Sequence, residues 1–562
     1  MKKRMIPVLV AITLILILAV AGVGMKVIEK YSYSKERADL TQYFKLSGDN
    51  EVAILLQDEI LEEKALLLNG TYYLDYTTVK TYFNDRFYVD TVENLLIYTT
   101  PTDIISAPIE GTAVSTSGVS SEENYVIATY QGETLYVAID YVKKYTNLSY
   151  EAFTEPSRVQ IYTEWNNRKL AEVSKKTAIR YQGGVKSDIL EDVEEGDQLI
   201  VLESLDKWSK VKSKDGIIGY IENKRLTNER EEIQTPVTEV PEPEYTSVKR
   251  DHKINLAWHQ VMNVTANSSI TTALAQTKGI NTISPTWFSL SDNEGNFTSL
   301  ASADYVNIAH SMGIEVWALV DNFNENVDTK EALSSATKRA KLIQGLMNTV
   351  QQYQIDGINV DFEKLKTDAS ENFIEFIREL SVSCRANGIV LSIDNYVPKE
   401  YSSHYNRKEQ GIVADYVIIM GYDEHYGGGD AGSVASINFV EEGIVNTLAE
   451  VPSDKVINAI PFYTRVWTTK GAEVTSTSVG MGVAENLLAQ HGAEITWNEE
   501  TCQNYGEYQD GDALVQVWLE DAESIQVKLN IMGKYDLGGV AEWKLGLETP
   551  NVWDNILAYT QS

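Results

Sequence analysis

A pair of carboxylates two residues apart is the feature of this 562-residue chain with the clearest chemical meaning. The pair consists of Asp361 and Glu363, at the end of the segment DGINVDFE. In an extended strand alternate side chains share a face, so Asn359, Asp361 and Glu363 would point to one side. A carboxylic acid can donate a proton to a leaving oxygen if burial and a neighbouring carboxylate raise its pKa. The spacing therefore predicts that Glu363 is a general acid and that Asp361 supplies the neighbouring charge.

The elements around this segment predict a barrel. Between residues 248 and 562, short apolar runs alternate with helix-length amphipathic stretches. The predicted strands are 254–258, 280–287, 314–320, 355–363, 389–397, 415–423, 455–463 and 537–545. Eight strands with helices between them indicate an α/β fold, the (β/α)8 TIM barrel, whose catalytic groups lie at the carboxyl ends of the strands. The long gap between the seventh and eighth strands predicts an insertion.

One predicted helix of the barrel carries an apolar stripe at helical spacing. The stripe consists of Phe373, Ile377, Leu380 and Cys384. Asp368 with Glu371 is typical of a capping box at its start, and Asn387–Gly388 is a typical end. Cys384 is then a buried core thiol. The two cysteines, Cys384 and Cys502, suit neither a disulfide framework nor metal-ligand spacing, so we expect no metal and no other cofactor.

Polar and aromatic residues also stand at the ends of other predicted strands. They are Met420, Tyr422 and Asp423 in the sixth strand, Trp543 in the eighth and Trp287 in the second. Trp287 is either a platform for a flat ligand or a packing residue at the barrel mouth, and both interpretations stay open. His404 and His425 lie near strand ends too, and we interpret them as loop residues rather than ligands.

These motifs, taken together, resemble one known family. DGINVDFE resembles the DxxDxDxE signature of glycoside hydrolase family 18, the chitinase-like family, with Asn359 in place of the second Asp. Residues 420–423 resemble its MxYD motif, residues 461–467 its strand-seven segment, and Trp543 stands at its strand-eight tryptophan. The resemblance covers the whole predicted barrel and is strongest to the bacterial spore and cell-wall members that act as N-acetylglucosaminidases on peptidoglycan.

The resemblance implies a retaining mechanism in which the 2-acetamido group of the substrate is the nucleophile. By matching position, Glu363 is the general acid and then the base, and Asp361 orients the acetamido group. Tyr422 would hydrogen-bond the acetamido oxygen. The implied substrate-binding residues are Asp423, Trp543 as a stacking floor, Asn359, Met420 and Trp287. Asn359 cannot share a proton with Asp361 as an aspartate could, which implies a changed pH optimum, and Asp356 is expected to be structural.

A second class of function is compatible with the same residues. The barrel could be a non-catalytic, lectin-like protein that only binds wall glycan, with Asp361 and Glu363 as a buried, hydrogen-bonded pair. Retention of Glu363 favours the enzyme.

Composition excludes one class of partner. The formal net charge of -33 argues against binding nucleic acid, whose phosphates require clustered Lys and Arg. A neutral polysaccharide is recognised by stacking and hydrogen bonds instead, so peptidoglycan or chitin oligomers remain suitable partners.

The first residues predict export. Lys2, Lys3 and Arg4 precede an apolar run from Ile6 to Met25, which is long enough to cross a bilayer as a helix. The segment 1–25 is either a membrane anchor or a cleaved signal peptide, since Ala19–Ala21 has the small-x-small form. The length of the run favours the anchor. Both alternatives place the rest of the chain outside the cytoplasm, at the cell surface.

The region between the apolar run and the barrel predicts two further modules and a linker. Residues 45–163 repeat one α+β pattern of turn, strand, short helix and strand, similar to copper amine oxidase N-terminal-like repeats. Residues 166–227 resemble a small all-β SH3-like barrel, with a hairpin at 208–221. Residues 228–247 are rich in Glu, Pro and Thr and predict an extended linker. The chain is thus expected to be multidomain.

Overall fold

The computed structural model describes residues 5–561 of the chain. These residues form two compact units. The N-terminal unit contains the described residues up to Phe87 together with Pro108–Thr112 and Glu122–Glu242. The barrel unit contains Tyr88–Ala107, Ala113–Ser121 and the described residues from Pro243 onward.

The N-terminal unit begins with the helix Met5–Tyr31. Its apolar stretch Ile6–Tyr31 is long and hydrophobic enough to span a membrane, and a signal sequence would have the same properties. Lys2, Lys3 and Arg4, which carry the predicted orientation, lie outside the described residues.

Two antiparallel-rich sheets follow in the N-terminal unit, each with seven strands. The first contains, in spatial order, Ser149–Thr154, Ser157–Tyr162, Glu51–Leu56, Glu59–Leu68, Thr71–Asp75, Thr134–Ala138 and Ala128–Gln131. The second contains Ile189–Val193, Thr177–Arg180, Ile218–Glu222, Trp208–Lys212, Gln198–Ser204, Arg168–Val173 and Leu226–Glu232. The predicted hairpin is present as Trp208–Lys212 paired with Ile218–Glu222. The last strand runs to Glu232, so the irregular linker begins five residues later than predicted.

The predicted internal repeat has the same local structure in both copies. Each copy has a strand, a short helical segment and a hairpin, and the hairpins are Tyr88–Asp90 with Leu95–Thr99 and Ser149–Thr154 with Ser157–Tyr162. Only the second hairpin stays in the N-terminal unit. The first belongs to a five-stranded sheet over residues 88–122 whose strands fall mainly in the barrel unit. The predicted modules 45–163 and 248–562 are therefore divided differently from the two compact units. The first hairpin resembles the second in sequence, but its contacts are with the barrel unit.

The predicted (β/α)8 barrel is confirmed. Its parallel strands are Ile254–His259, Thr282–Leu290, Glu315–Asp321, Gly357–Asp361, Val390–Tyr396, Tyr416–Met420, Val456–Pro461 and Gly539–Trp543. We call them barrel strands one to eight. Strand one pairs in parallel with both strand two and strand eight, which closes the sheet. Each of the eight strands overlaps a predicted strand and extends beyond it by at most three residues. Long apolar runs that alternate with amphipathic helices are compatible with few other folds.

Helices pack around the strands. The longer ones are Ala303–Ser311, Ala336–Tyr353, Ser370–Asn387, Ile437–Leu448, Ala522–Lys534 and Val552–Thr560. In Ser370–Asn387 the predicted stripe and Cys384 are buried, and Gly388 ends the helix at a left-handed φ of 67°. The predicted capping box is wrong: the helix is preceded by a 3-10 turn, and Asp368 pairs with Lys330 instead.

The predicted insertion between strands seven and eight is present. It contains a five-stranded antiparallel sheet formed by Tyr463–Lys470, Glu473–Gly480, Ile495–Asn498, Gln503–Asp510 and Ala513–Trp518. The helix Met481–Gln490 packs on this sheet through Ala484 and Leu488. The insertion begins directly at the carboxyl end of strand seven and so adds a wall at the end of the barrel where the site is expected.

Candidate active site

The inward face of barrel strand four carries the polar residues of the motif. Asn359 is fully buried and Asp361 is 5% exposed, whereas Ile358 and Val360 belong to the outer core beneath the helices. Phe362 also faces outward and stacks on Phe376. The period of two places Asn359 and Asp361 inside the barrel, as predicted, and Glu363 lies just beyond the end of the strand.

Asn359 is held by four hydrogen bonds inside the barrel. Its Oδ1 accepts from Trp258 Nε1 at 2.9 Å and from Ser284 Oγ at 3.1 Å. Its Nδ2 donates to Ser392 Oγ at 3.0 Å and to Asp394 Oδ1 at 2.8 Å. These bonds use the full capacity of a primary amide, and an aspartate could not donate to either of the last two acceptors. The asparagine at this position is therefore matched to its surroundings.

Asp361 and Asp394 form a buried acidic pair. Burial raises the pKa of Asp361 well above its ordinary value, and the charge of Asp394 adds to the rise. Burial likewise raises the pKa of Asp394, although the amide of Asn359 opposes the shift. Asp361 Oδ1 is buried and has no hydrogen-bond partner among the described protein residues. A buried oxygen without a partner is costly, so this atom is suited to an incoming polar group.

Glu363 is half-buried and is positioned by two neighbouring loops and strands. Its Oε2 accepts a hydrogen bond from the Tyr396 hydroxyl at 2.7 Å. Asn322, after strand three, accepts from the backbone N–H of Glu363 at 2.9 Å and donates to its carbonyl at 3.0 Å. Because Oε2 accepts from Tyr396, Oε1 is the oxygen left to carry a proton toward a substrate.

Tyr422 and Asp423 follow strand six, as the sequence predicts. Burial raises the pKa of Tyr422 well above its usual value, so its hydroxyl stays protonated and can donate. The charges of Asp361 and Asp394 add to this rise in the pKa of Tyr422. Asp423 has a left-handed φ of 61°, and its Oδ1 accepts from Tyr463 at 2.5 Å.

Trp543 ends strand eight with a partly exposed ring. It packs edge-on to Trp258 with ring centroids 5.8 Å apart, and both contact the inner barrel cluster that Tyr422 also touches. The peptide bond from Trp543 to Lys544 is cis. An aromatic ring held this way at the barrel mouth can form the floor of a sugar site.

Two of the proposed substrate-binding residues lie in packing positions. Trp287 is 1% exposed, donates through Nε1 to Asn267 and packs edge-on to Tyr305 at 5.0 Å. Trp287 belongs to the outer core, so it is a packing residue and not a sugar platform. Met420 is 8% exposed on strand six.

The remaining residues singled out by the sequence lie away from the acidic pair. Asp356 precedes strand four at the opposite end, bonds His310 and accepts from the backbone of Val316, which is a structural role. His404 and His425 bond backbone carbonyls in loops. Within residues 5–561, no cluster of His, Cys, Asp or Glu is suited to hold a metal ion.

Sequence reasoning missed Asp394 and Tyr396. Both lie on strand five, where Val390, Ser392, Asp394 and Tyr396 share the inward parity. The alternation argument that was applied to strand four would have found them in the segment IVLSIDNYV. Asn322, in the loop after strand three, had no comparable signal, because its role depends on backbone contacts with another loop.

A closed barrel with an acid at the mouth of strand four, above a buried acidic pair, defines the class of (β/α)8 glycosidases. Comparison with protein families agrees with this class. The family described as Glycosyl hydrolases family 18 matches residues 217–548, which is more than half of the chain. The chain belongs to this family.

Curated relatives are bacterial glycosylases. The chain is 30% identical over 233 residues to the putative sporulation-specific glycosylase YdhD of Bacillus subtilis, covering 40% of this chain and 55% of YdhD. It is 26% identical over 262 residues to the cortical fragment-lytic enzyme of Bacillus subtilis, covering 44% and 60%. The chain thus spans somewhat over half the length of these two relatives.

Two solved structures share the fold. The C-terminal domain of a putative chitinase from Desulfitobacterium hafniense is 21% identical with a TM-score of 0.51, covering 55% of this chain and 99% of that one. The spore cortex-lytic enzyme SleL of Bacillus cereus is 23% identical with a TM-score of 0.50, covering 59% and 77%.

Proposed function

We propose that this protein cleaves β-1,4 bonds at N-acetylglucosamine in peptidoglycan or a chitin-like glycan, with retention of configuration. The observation that carries the proposal is the group formed by Glu363, Asp361 and Tyr422 at one end of the barrel. An acid with one free oxygen lies beside a buried carboxyl with an unpartnered oxygen and a protonated phenol. This set can serve a leaving oxygen and an acetamido group at the same time.

The proposed first step begins with Glu363. Its Oε1 donates a proton to the glycosidic oxygen while the acetamido oxygen of the substrate attacks the anomeric carbon. The bond to the leaving sugar breaks and a cyclic oxazolinium ion forms. Tyr422 donates to the acetamido oxygen, and Trp543 holds the sugar from below.

Asp361 acts on the acetamido nitrogen. The raised pKa values of Asp361 and Asp394 mean that the pair retains a proton to a higher pH than exposed carboxyls would. The positive charge of the oxazolinium then favours the ionised form of Asp361, so the pair is most stabilising when the intermediate forms. In the second step Glu363 takes a proton from water, which attacks the anomeric carbon and opens the ring.

Cell-wall glycan is the proposed substrate. Two relatives are named a putative sporulation-specific glycosylase and a cortical fragment-lytic enzyme, and these names support a wall polymer as the substrate. We further propose that the helix Met5–Tyr31 directs export and retains the protein at the membrane, with a cleaved signal as the alternative.

The decisive experiment uses Glu363→Gln on purified peptidoglycan. Release of reducing ends should fall by about a thousandfold, since general acid catalysis contributes 10²–10⁴-fold, while glycan binding persists. Glu473→Gln, at an exposed turn of the insertion, is the matched control and should retain full activity. Wild-type protein that binds glycan but releases nothing from peptidoglycan or chitin oligomers would establish the lectin-like alternative.

The stereochemistry tests the mechanism separately. Proton NMR of the first product should show the β-anomer before mutarotation. An α-anomer would refute acetamido participation and leave the glycosidase class intact.

A further inference from the structure

A cleft with a volume of about 570 Å³ opens beside Glu363. It is lined by the loop after strand three, residues 322–330, and by the loop after strand four, residues 363–366. Tyr422 and Trp543 are not among its lining residues. The cleft therefore borders Glu363 but not the two residues proposed to hold the acetamido sugar, so it is a separate place for the leaving sugar.

The lining of this cleft is suited to a sugar. The Asn324 amide is bonded to Ser291 and Asn326, which leaves the Asn326 carbonyl oxygen as an acceptor, and the ring of Phe323 is 51% exposed. Amides that can pair with hydroxyls beside an exposed aromatic ring are typical of carbohydrate subsites.

Lysines and carboxylates both line this cleft. The lysines are Lys330, Lys364 and Lys366, and the carboxylates are Glu325, Asp328 and Glu363, in a chain whose net charge is -33. Lys330 pairs with Asp368 at 3.0 Å, and Lys366 lies 3.9 Å from Asp328. Lys364 makes no ion pair with any residue in the described range 5–561. One ammonium group in the cleft is therefore available to an anion.

The backbone holds Lys364 next to the acid. Its φ is 51°, in the left-handed region, which is unfavourable for a residue with a side chain. Its N–H donates to the Tyr396 hydroxyl at 3.2 Å, and the same hydroxyl donates to Glu363 Oε2. The Tyr396 hydroxyl therefore contacts both Glu363 and the backbone of Lys364. Lys364 directly follows the acid in the chain, has a strained backbone conformation and lines the cleft.

We propose that the cleft binds the leaving sugar and that Lys364, assisted by Lys366, binds a carboxylate carried by that sugar. The inference rests on the proposed glycosidase function and narrows its substrate to a glycan whose N-acetylated sugars bear an acidic ether or peptide substituent. A neutral chitin chain would gain nothing from an unpaired cation. An anionic glycan, by contrast, must overcome repulsion by the acidic chain, and a local cation removes that penalty where the anion lies.

The test compares two substrates that differ in one group. Soluble peptidoglycan fragments are used as isolated and after chemical amidation of their carboxylates. For wild-type protein kcat/KM should be about tenfold higher on the carboxylated fragments, the value of one charge-assisted hydrogen bond. Lys364→Gln should bring the ratio of kcat/KM on carboxylated to amidated fragments to within about twofold of one, and Lys364→Arg should keep the wild-type ratio.

Lys278→Gln provides the matched control, because Lys278 precedes strand two at the opposite end of the barrel. It should retain the wild-type preference. An unchanged preference in Lys364→Gln, or no preference in the wild type, would overturn the inference while leaving the glycosidase proposal standing. A wild-type protein inactive on both substrates would instead refute the proposed function itself. Should Lys364→Gln fail to fold, loss of the wild-type preference at high ionic strength provides the same test.

Discussion

Two groups of buried carboxylates in the barrel unit have different surroundings. The first group lies on helices outside the barrel strands. There Glu379 lies 2.9 Å from Arg339. Arg378 contacts Glu375 at 3.1 Å and Glu409 at 2.8 Å. Burial alone would lower the pKa of both arginines, but the facing carboxylates outweigh it and raise the pKa values. We call these five residues the outer cluster.

Hydrogen bonds from the first repeat hairpin complete the outer cluster. Thr99 Oγ1 donates to Glu375 at 2.6 Å, and Arg339 donates to the Tyr88 hydroxyl at 3.2 Å. These contacts explain why residues 88–107 belong to the barrel unit.

Inside the barrel, Asp361 and Asp394 have no arginine or lysine partner within the described residues. Asp394 accepts a hydrogen bond from the amide of Asn359, and the two carboxyl groups raise the free energy of ionising each other. Buried charges that are paired with opposite charges are a structural feature, whereas the inner acidic pair, which has no cation beside it, is suited to the cationic intermediate of the proposed mechanism.

Asp361→Asn should have the largest effect on activity. We expect kcat to fall by about a thousandfold, because a preorganised charge beside the intermediate is lost, while the free energy of unfolding stays level or rises. Turnover on peptidoglycan and denaturant unfolding measure the two quantities. A large loss of stability would place Asp361 in the same class as the outer cluster.

Arg339→Met should show the opposite pattern. The free energy of unfolding of the barrel unit should fall by about 3–5 kcal/mol, because Glu379 is left buried without its cation. Turnover per folded molecule should stay close to wild type. The double variant with Glu379→Leu is the control and should recover most of the loss; no recovery would show that packing rather than charge stabilises this site.

Asn359→Asp adds a third carboxyl to the inner group. It removes two donors and should cost about 2–3 kcal/mol of stability at neutral pH. The new buried acid would have a folded pKa above its unfolded value of about 3.9, so the penalty should grow as pH rises above that value and shrink to the loss of one donor below it. A penalty independent of pH would point to shape rather than charge.

Asp394→Asn tests the inner group without adding charge. Because burial raises the pKa of Asp394, the folded wild type keeps a proton that the unfolded chain loses above about pH 4. Wild-type stability should therefore fall relative to the variant as pH rises through this window, by at most about 1.4 kcal/mol per pH unit. Thermal unfolding across a pH series measures the difference, and parallel curves would contradict a raised pKa.

Tyr396→Phe should have the smallest effect. Loss of the hydrogen bond to Glu363 Oε2 should lower kcat by about tenfold with little change in KM. Steady-state kinetics on peptidoglycan fragments measures both quantities. An unchanged kcat would reduce Tyr396 to a packing role.

Local pattern was enough for much of the site. The period of two in DGINVDFE placed Asn359 and Asp361 inside the barrel, and strand-end position brought Tyr422 and Trp543 to the same region. Trp287 failed the same reasoning, because an aromatic residue near a strand end suits either a ligand or the core. Which of these holds depends on Asn267 and Tyr305, which come from other elements.

The sequence by itself determined the barrel and its family and predicted an acid at position 363, because apolar periodicity and motif spacing are local properties of the chain. Tertiary structure alone decided what surrounds that acid. Asn359 is held by Trp258, Ser284, Ser392 and Asp394, which come from three other strands. Likewise the hairpin of the first repeat belongs to the barrel unit, whereas the similar hairpin of the second repeat belongs to the N-terminal unit. Contacts between distant segments depend on closure of the sheet, and no short-range pattern encodes them.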